Sequence, residues 1–308
     1  MDISVVVPCY NEEESLPFFY NELKSTLQKL QISYEIIFIN DGSSDATQTI
    51  LSQFSSSDSN VKVIELSRNF GHQAALLAGL HHSIGKDVIT MDADLQHPPI
   101  LIPELILKSK EGFDIVNTIR EETEGVGFIK NITSRFFYKA INFLSDVSIK
   151  EGAADFRLMS RRAVDAFISF PEKVRFNRGL VSWMGFNTSY VSYNASKRIA
   201  GTTKFSFLKM LKFAINGITS FSSKPLQIPV ILGFLSVVLG LIYSAFILYQ
   251  FVQGETIQGW TSTVIIILFL GGAQMFSLGI VGIYVAKIFE ESKNRPVYIV
   301  KEMINFKQ

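Results

Sequence analysis

The sequence predicts an α/β fold, a mainly parallel sheet covered by helices on both faces, followed by two helices long enough to span a membrane. Three observations carry this expectation. Short β-branched runs at Ile3–Pro8, Tyr34–Ile39, Val61–Leu66 and Asp87–Met91 alternate with segments of helical length. The runs are about six residues long, and such strands alternating with helices argue for a mainly parallel sheet covered on both faces. Finally, no charge occurs between Lys224 and Glu255, nor between Glu255 and Lys287.

Taken in order, Ile3–Pro8 is a strand closed by proline. Asn11 and the acidic run Glu12–Glu14 offer a cap and first-turn acids for a helix reaching Lys29. The second strand runs into Asn40-Asp41-Gly42-Ser43-Ser44-Asp45, where Gly42 permits a tight turn and Asp45 is placed to cap the next helix. Val61–Leu66 is the third strand and His72–Ser83 the third helix. The fourth strand lies between Gly85 and Pro98-Pro99, and ends in Asp92-Ala93-Asp94-Leu95-Gln96.

Ligands of such sheets bind beyond the carboxyl ends of the strands. Pro8-Tyr10-Glu12, Asp41 and Asp92-Asp94 all fall there, so three loops converge on one crevice. At the end of a strand, the Asp-x-Asp spacing brings two carboxylates and the Gln96 amide to one point. Such hard oxygen donors suit Mg²⁺ or Mn²⁺, which bind through one or two carboxylates plus substrate phosphates. Neither a Gly-x-Gly-x-x-Gly nor a Walker A motif is present, so carboxylates and a metal would have to hold any nucleotide. Asp41 and Glu12 suit hydrogen bonds from a ribose or a base, and serve equally well as turn and capping residues.

Beyond Asp114 the pattern is less regular. Ile115-Val116-Asn117 reads as a strand leading to Arg120 and an acidic, glycine-containing loop over 121–127. A helix over 129–144 carries Lys130, Arg135 and Lys139. In Gly152-Ala153-Ala154-Asp155-Phe156-Arg157, Asp155 is either a partner of Arg157 or a group facing substrate. Tyr190–Asn194 is the expected final strand. Cations at Lys197, Arg198 and Lys204 surround a Gly-Thr-Thr turn, an arrangement suited to phosphate and equally to a solvated loop. Residues 205–221 place apolar side chains at helical spacing beside Lys209 and Lys212, with Lys204 just ahead, which fits a helix lying in a membrane interface or one packed on a core.

Ile228–Tyr249 would form a helix of about 33 Å and Thr263–Ala286 one of about 36 Å, each enough to cross a bilayer. Lysines and arginines flank the pair on its outer sides, whereas the link over 254–260 has neither. That asymmetry places both flanks, and hence the N-terminal domain, in the cytoplasm at the inner membrane. The expected organisation is a catalytic domain over 1–204, an interfacial helix over 205–224, two spans (226–251 and 262–288) within 225–290, and a tail over 291–308.

Composition narrows the function. A net charge of +1 sets up no field to recruit nucleic acid, and no basic-aromatic stripe appears. A single cysteine, Cys9, excludes an intramolecular disulfide and reads as a packed strand residue. The N-terminus has no basic region before its apolar run, unlike a signal peptide.

Five motifs in order are now on view: Val7-Pro8-Cys9-Tyr10-Asn11-Glu12, Asn40-Asp41-Gly42-Ser43-Ser44-Asp45, Arg68-Asn69-Phe70-Gly71-His72-Gln73, Asp92-Ala93-Asp94-Leu95-Gln96 and Ala154-Asp155-Phe156-Arg157-Leu158. Together with the hairpin, they resemble glycosyltransferase family two, and within it the polyprenyl-phosphate glycosyltransferases, over essentially the whole chain. The resemblance implies a GT-A, Rossmann-like catalytic domain and inverting transfer of a sugar from a nucleotide sugar to a lipid phosphate. It implies that Pro8, Tyr10, Glu12, Asp41, Asp92 and Ala93 hold the nucleotide sugar, and that Asp92, Asp94 and Gln96 hold the metal and diphosphate. Arg120 and Arg135 would meet the acceptor phosphate, and Arg198 and Lys204 the donor. Asp94 and Asp155 would be catalytic, Asp155 matching a carboxylate proposed as base. A lipid phosphate has a second pKa of about 6 and is already largely ionised near neutral pH, so Asp155 need not remove a proton.

The expected pair is UDP-glucose and undecaprenyl phosphate, with a UDP-aminoarabinose derivative or GDP-mannose as alternative donors. A non-catalytic regulator of lipid-sugar translocation is a different reading, which the intact carboxylates oppose. A small-molecule channel is a third, and two spans would require it to oligomerise. The family further implies a homo-oligomer, a tetramer among the options, and Gly271-Gly272, Gly279 and Gly282 would permit close helix contacts.

Overall fold

The computed structural model describes residues 1–121, 150, 152–173, 175–194, 219, 221–254 and 259–306. Eight strands form one sheet: β1 (Ile3–Cys9), β2 (Tyr34–Asn40), β3 (Val61–Leu66), β4 (Asp87–Thr90), β5 (Ile115–Glu121), β6 (Ala153–Ser160), β7 (Thr188–Asn194) and β8 (Val300–Ile304). Their spatial order is β7-β5-β6-β4-β1-β2-β3-β8. β1 pairs in parallel with both β2 and β4, β2 with β3, and β5 with β7; β6 and β8 run antiparallel to their neighbours. The mixed, mainly parallel sheet is the GT-A arrangement expected.

Every position of β1 and β2 is buried, which is why these strands read as nearly continuous apolar runs, with Ser4, Glu35 and the terminal Asn40 the polar exceptions. Alternate side chains serve opposite layers. Val5, Val7 and Phe38 pack with Phe19, Leu23 and Leu27 of α1 (Leu16–Lys29), with Leu51 of α2 (Thr47–Ser57) and with Leu105 of α4 (Ile102–Lys110). Val6, Ile37 and Ile39 pack with Ala75 and Ala78 of α3 (His72–His82) and, farther out, with Phe167 of α5 (Arg161–Ile168) and Leu180 of α6 (Asn177–Trp183). A side chain the size of Phe19 or Phe38, both fully buried, contributes about 2–3 kcal/mol by leaving water.

Several elements differ from the sequence expectation. Asn11 is not a helix cap: it takes a left-handed φ of 55°, and α1 starts only at Leu16. Asp45 lies one residue before the cap position of α2 and accepts N–H bonds from Thr47 and Glu13 instead. The Gly152–Leu158 segment holds a strand, β6, whose small leading residues mask its β character. β7 is not the last strand, and 291–308 is not only a tail. β8 returns after the membrane helices to close the edge beside β3, and its largely exposed Val-Lys-Glu-Met-Ile carries no alternation to announce it.

The two apolar helices are α7 (Gln227–Val252) and α8 (Trp260–Ser292). Their most apolar windows are 0% buried, leaving side chains such as Phe234 and Leu268 outward. Tyr284 of α8 donates a 2.7 Å hydrogen bond to the Ser222 carbonyl just ahead of α7, tying the two bases together. The expected helix over 129–144 lies outside the described residues, as do the basic turn over 197–204 and nearly all of the helix over 205–221. So do Arg135, Arg198 and Lys204.

Candidate functional site

The acidic motif owes its geometry to a strand-like alternation that persists past the end of β4. Met91, Ala93, Leu95 and His97 point inward and are buried, whereas Asp92, Asp94 and Gln96 are partly exposed on the other side. Leu95 completes the turn at a left-handed φ of 59°. Two carboxylates and an amide therefore share one face, as the spacing predicts. The Ala93 side chain is 2% exposed and belongs to the core, so any contact it makes in the crevice is through its backbone.

The sheet register brings a third carboxylate to the same place. Thr90 of β4 pairs with Arg157 of β6 in antiparallel sense, so Asp155 falls opposite Asp92, and Thr90 Oγ1 donates to the Asp155 carbonyl at 2.6 Å. Arg157 Nη2 donates to Asp155 Oδ1 at 3.0 Å. Arg178 of α6 grips the same carboxylate, Nη2 to Oδ2 at 2.9 Å and Nε to both oxygens at 3.2 and 3.3 Å. Burial alone would raise the Asp155 pKa, but the guanidiniums of Arg178 and Arg157 hold it well below the usual carboxylate range. A carboxylate so stabilised is a weak base.

Asp92 has its own cation. His72 Nε2 lies 2.7 Å from Asp92 Oδ1, and the Asp92 N–H donates to His97 Nδ1 at 2.9 Å. Burial opposes charge on both Asp92 and His72. The pair nevertheless drives the Asp92 carboxyl down to about 2 and the His72 imidazole up to about 9, Asp155 adding to the pull on His72. His97 stacks on Phe156, ring centroids 5.3 Å apart. Tyr193 sits among Arg120, Asp92, Asp94 and Arg178, its phenol pushed up to about 12 chiefly by burial.

The opposite wall is a cross-linked rim. The Asn11 N–H donates to Ser43 Oγ at 3.0 Å, the Ser44 N–H to Asn11 Oδ1 at 2.9 Å, and the Ala46 N–H to Glu13 Oε2 at 2.8 Å. Glu12 donates its N–H to Thr47 Oγ1, and its carboxylate accepts from Ser15 Oγ at 2.7 Å. Asp41 is buried and accepts N–H bonds from Phe70 at 2.7 Å and Gly71 at 2.9 Å. Burial raises its pKa, and those two bonds only partly offset it. Asp41 thus fastens the loop after β2 to the loop after β3, a structural task in addition to the expected ligand contact. Pro8 is buried within β1, opposite Ile39, and Tyr10 is 41% exposed at the rim.

Arg120, at the end of β5, donates from Nη1 to Gln96 Oε1 at 3.3 Å, while its buried Nε has no hydrogen-bond partner among the described residues. Among the described residues no three or more His, Cys, Asp or Glu side chains form a complete metal-binding group. The donor set nevertheless fits a hard divalent ion that takes one or two carboxylates and completes its shell with water and phosphate oxygens. The unpartnered guanidinium nitrogen fits an anion arriving with it.

The structure therefore brings together Asp92, Asp94, Gln96, Arg120 and Asp155, with Tyr10, Glu12 and Asp41 along the rim. Sequence reasoning missed His72, His97, Arg178 and Tyr193. His72 stands inside the Arg68–Gln73 motif, and nothing in the local sequence marks it as the partner of Asp92. Arg178 stands in a plain helical stretch without a local signal, and only the tertiary fold delivers it to Asp155.

Residues 4–167 match Glycosyl transferase family 2. An uncharacterized glycosyltransferase of Synechocystis sp. (strain ATCC 27184 / PCC 6803 / Kazusa) is 40% identical over 98% of this chain and 96% of its own. The bactoprenol glucosyl transferase of Shigella phage SfV is 41% identical over 98% of each chain. Among solved structures, S. aureus TarS 1-349 in complex with UDP shares 20% identity over 73% of this chain and 66% of that one, at a TM-score of 0.46.

Proposed function

We propose, from the premise that the chain belongs to glycosyltransferase family 2 and is a transferase, that it moves a sugar from a nucleotide sugar to a polyprenyl phosphate at a membrane face. The finer reading is UDP-glucose as donor, undecaprenyl phosphate as acceptor and inversion at the anomeric carbon. The observation that carries it is the crevice at the ends of β4 and β6, where Asp92, Asp94 and Asp155 stand among Arg120, Arg157 and Arg178. A reaction between two phosphate-bearing partners needs such a concentration of offset charge. Similarity to the phage bactoprenol glucosyl transferase supports the lipid acceptor and glucose.

In this reading an oxygen of the acceptor phosphate attacks the anomeric carbon. The carbon–oxygen bond to the nucleoside diphosphate breaks, and its electron pair leaves with the diphosphate. Asp92 and Asp94, with Gln96, would hold a Mg²⁺ or Mn²⁺, which when bound would supply positive charge to that leaving group. Arg120, beside Gln96, meets the acceptor phosphate. The rim from Tyr10 to Asp41 holds the nucleoside, with Arg198 and Lys204 on the donor and Arg135 on the acceptor. A dianionic acceptor phosphate reacts without losing a proton, so Asp155 has no proton to remove.

Two features support the membrane placement. α7 and α8 are apolar over spans of bilayer length and present their side chains outward. The chain leaves the sheet before α7 and rejoins it as β8 after α8, so the hairpin starts and ends on the domain's side. With the flanking basic residues, this supports a cytoplasmic catalytic domain with both flanks of the hairpin on the cytoplasmic side.

The test is transfer from labelled UDP-glucose, other UDP-sugars and GDP-mannose to undecaprenyl phosphate in detergent, with Mg²⁺, Mn²⁺ or chelator. Lipid-extractable label from UDP-glucose, abolished by chelator, is expected. Label from a different donor would replace the sugar assignment, and label from none would refute the activity.

A further inference from the structure

Arg178 carries more than its place in a short helix explains. The Asp155 carboxylate lies between two guanidiniums that are not equivalent. The Arg157 side chain is 5% exposed and is also bonded to the Ala154 carbonyl at 3.1 Å, so it faces the interior. The Arg178 side chain is 28% exposed at the crevice. Its Nε and Nη2 hold Asp155, and a guanidinium has five N–H donors distributed over more than one edge, so this grip orients the group rigidly. Arg157 and Arg178 thus set two guanidinium charges against the one carboxylate they grip, and the more exposed of the two lies at the crevice, where a further anion can meet it.

The position of α6 indicates which anion. A Cβ on Gly179 would lie 2.4 Å from the Phe221 ring, so only glycine lets α6 come this close to the segment that leads into α7. Phe176 meets the same ring edge-on, centroids 6.0 Å apart. The preceding loop is fastened to the base of α8, where the Lys173 N–H donates to both Glu291 carboxylate oxygens at 2.9 and 3.0 Å. Arg178 is thus mounted directly at the base of the hairpin. An acceptor whose apolar tail stays in the bilayer delivers its phosphate to that level.

We propose that Arg178 binds the phosphate monoester of the lipid acceptor, and that Asp155 is a positioning residue that holds the Arg178 guanidinium for it. The identity of the acceptor rests on the function proposed above; the assignment of Arg178 rests on the geometry. The charges balance without a base: a dianionic acceptor and a doubly charged UDP-sugar give a singly charged lipid phosphodiester and trianionic UDP. The depressed pKa of Asp155 agrees with a role as counter-ion.

The test uses the full-length protein in detergent. Binding of farnesyl phosphate, and separately of UDP, is measured by calorimetry for wild type, Arg178→Ala, Arg178→Lys, Asp155→Asn and the Arg178→Ala/Asp155→Asn double variant. KM and kcat are then measured with undecaprenyl phosphate. Arg178→Ala is expected to weaken farnesyl phosphate at least about tenfold, as loss of a charge-assisted fork does, and to leave UDP affinity unchanged. Retained UDP binding also shows that the variant is folded. Arg178→Lys, which keeps the charge and loses the fork, should raise the acceptor KM and spare the donor KM. The double variant should be no worse than Arg178→Ala, because Asp155 acts through Arg178.

Wild-type affinity for farnesyl phosphate in Arg178→Ala would overturn the assignment. So would loss of UDP in place of the acceptor, or a double variant whose losses multiply. If wild type itself binds UDP but no farnesyl phosphate, the lipid-acceptor reading fails with it; failure confined to the variants refutes Arg178 alone.

Discussion

Gly42→Ala is the sharpest probe of the rim, because a single methyl group tests how closely two loops must approach. Gly42 has a φ of +65°, and an added Cβ would lie 2.5 Å from both the Arg68 carbonyl carbon and the Asn69 nitrogen. The left-handed conformation costs alanine about 1–2 kcal/mol. The overlap adds more, since both neighbours are backbone and one loop has to shift by several tenths of an ångström. That shift strains the bonds from Phe70 and Gly71 to Asp41, and hydrogen bonds to a charged group contribute about 1.5–3 kcal/mol each. A total of roughly 2–4 kcal/mol follows, within the usual range for strain at such a position. At about 2–4 °C per kcal/mol in a domain of this size, the melting temperature falls by roughly 5–15 °C. Gly112→Ala is the control, because its φ is +99° and nothing lies within 4 Å of an added Cβ. Thermal unfolding of both variants in detergent, with UDP affinity alongside, makes the comparison. If Gly42→Ala melts together with Gly112→Ala and binds UDP like wild type, the close approach is not what shapes the rim.

Other perturbations follow from the same structure. Lys62→Met strands the buried Glu35 carboxylate, which otherwise takes Lys62 Nζ at 2.6 Å and the Ile84 N–H at 2.9 Å. It should cost about 3 kcal/mol by thermal unfolding, and Glu35→Gln in the same chain should recover part of the loss. The Arg162 guanidinium holds the Asp114 carboxyl below its ordinary range. Asp114 therefore contributes stability that is present above about pH 4 and is lost as pH falls through its lowered native pKa. Unfolding measured between pH 6 and 3 should show this dependence weakened in Asp114→Asn; an unchanged pH profile would contradict it. Removing residues 300–306 exposes the β3 edge and should give aggregation in size-exclusion chromatography. Asn305→Ala, which loses bonds to the Ser55 and Val61 carbonyls at 2.6 and 2.9 Å, should cost about 1–3 kcal/mol. A monodisperse, equally stable truncation would show that β8 is dispensable.

How much of this was legible in the sequence follows from where the information lies. β1, β2 and β4 announce themselves because burial on both faces forces nearly continuous apolar runs, and β3, with Lys62 and Glu65 half-buried, by its β-branched residues. The Asp92–Gln96 group is legible because alternate residues of the turn after β4 are the buried ones, which leaves the two carboxylates and the amide outward. Long-range pairing is not legible in the same way. β6 begins with Ala153-Ala154, weak strand formers, and exists because β4 and β5 flank it. β8 is an exposed edge strand whose only strong preference is for its partner β3. The site divides similarly. Asp92, Asp94 and Asp155 stand in compact motifs, whereas Arg178 reaches Asp155 across 23 residues through the packing of α6. His72 was in view as part of a motif, but its meaning depends on Asp92 lying 2.7 Å away.

The central claim is that the carboxylates after β4 gather the donor diphosphate through a divalent ion. Calorimetry of UDP with wild type and Asp94→Asn, with Mg²⁺ or Mn²⁺ and then with chelator, tests it most directly. The account predicts that wild type binds UDP at least about tenfold more tightly with the metal, and that Asp94→Asn binds weakly whether metal is present or not. Equal UDP affinity in metal and in chelator, or an undiminished metal effect in Asp94→Asn, would contradict it.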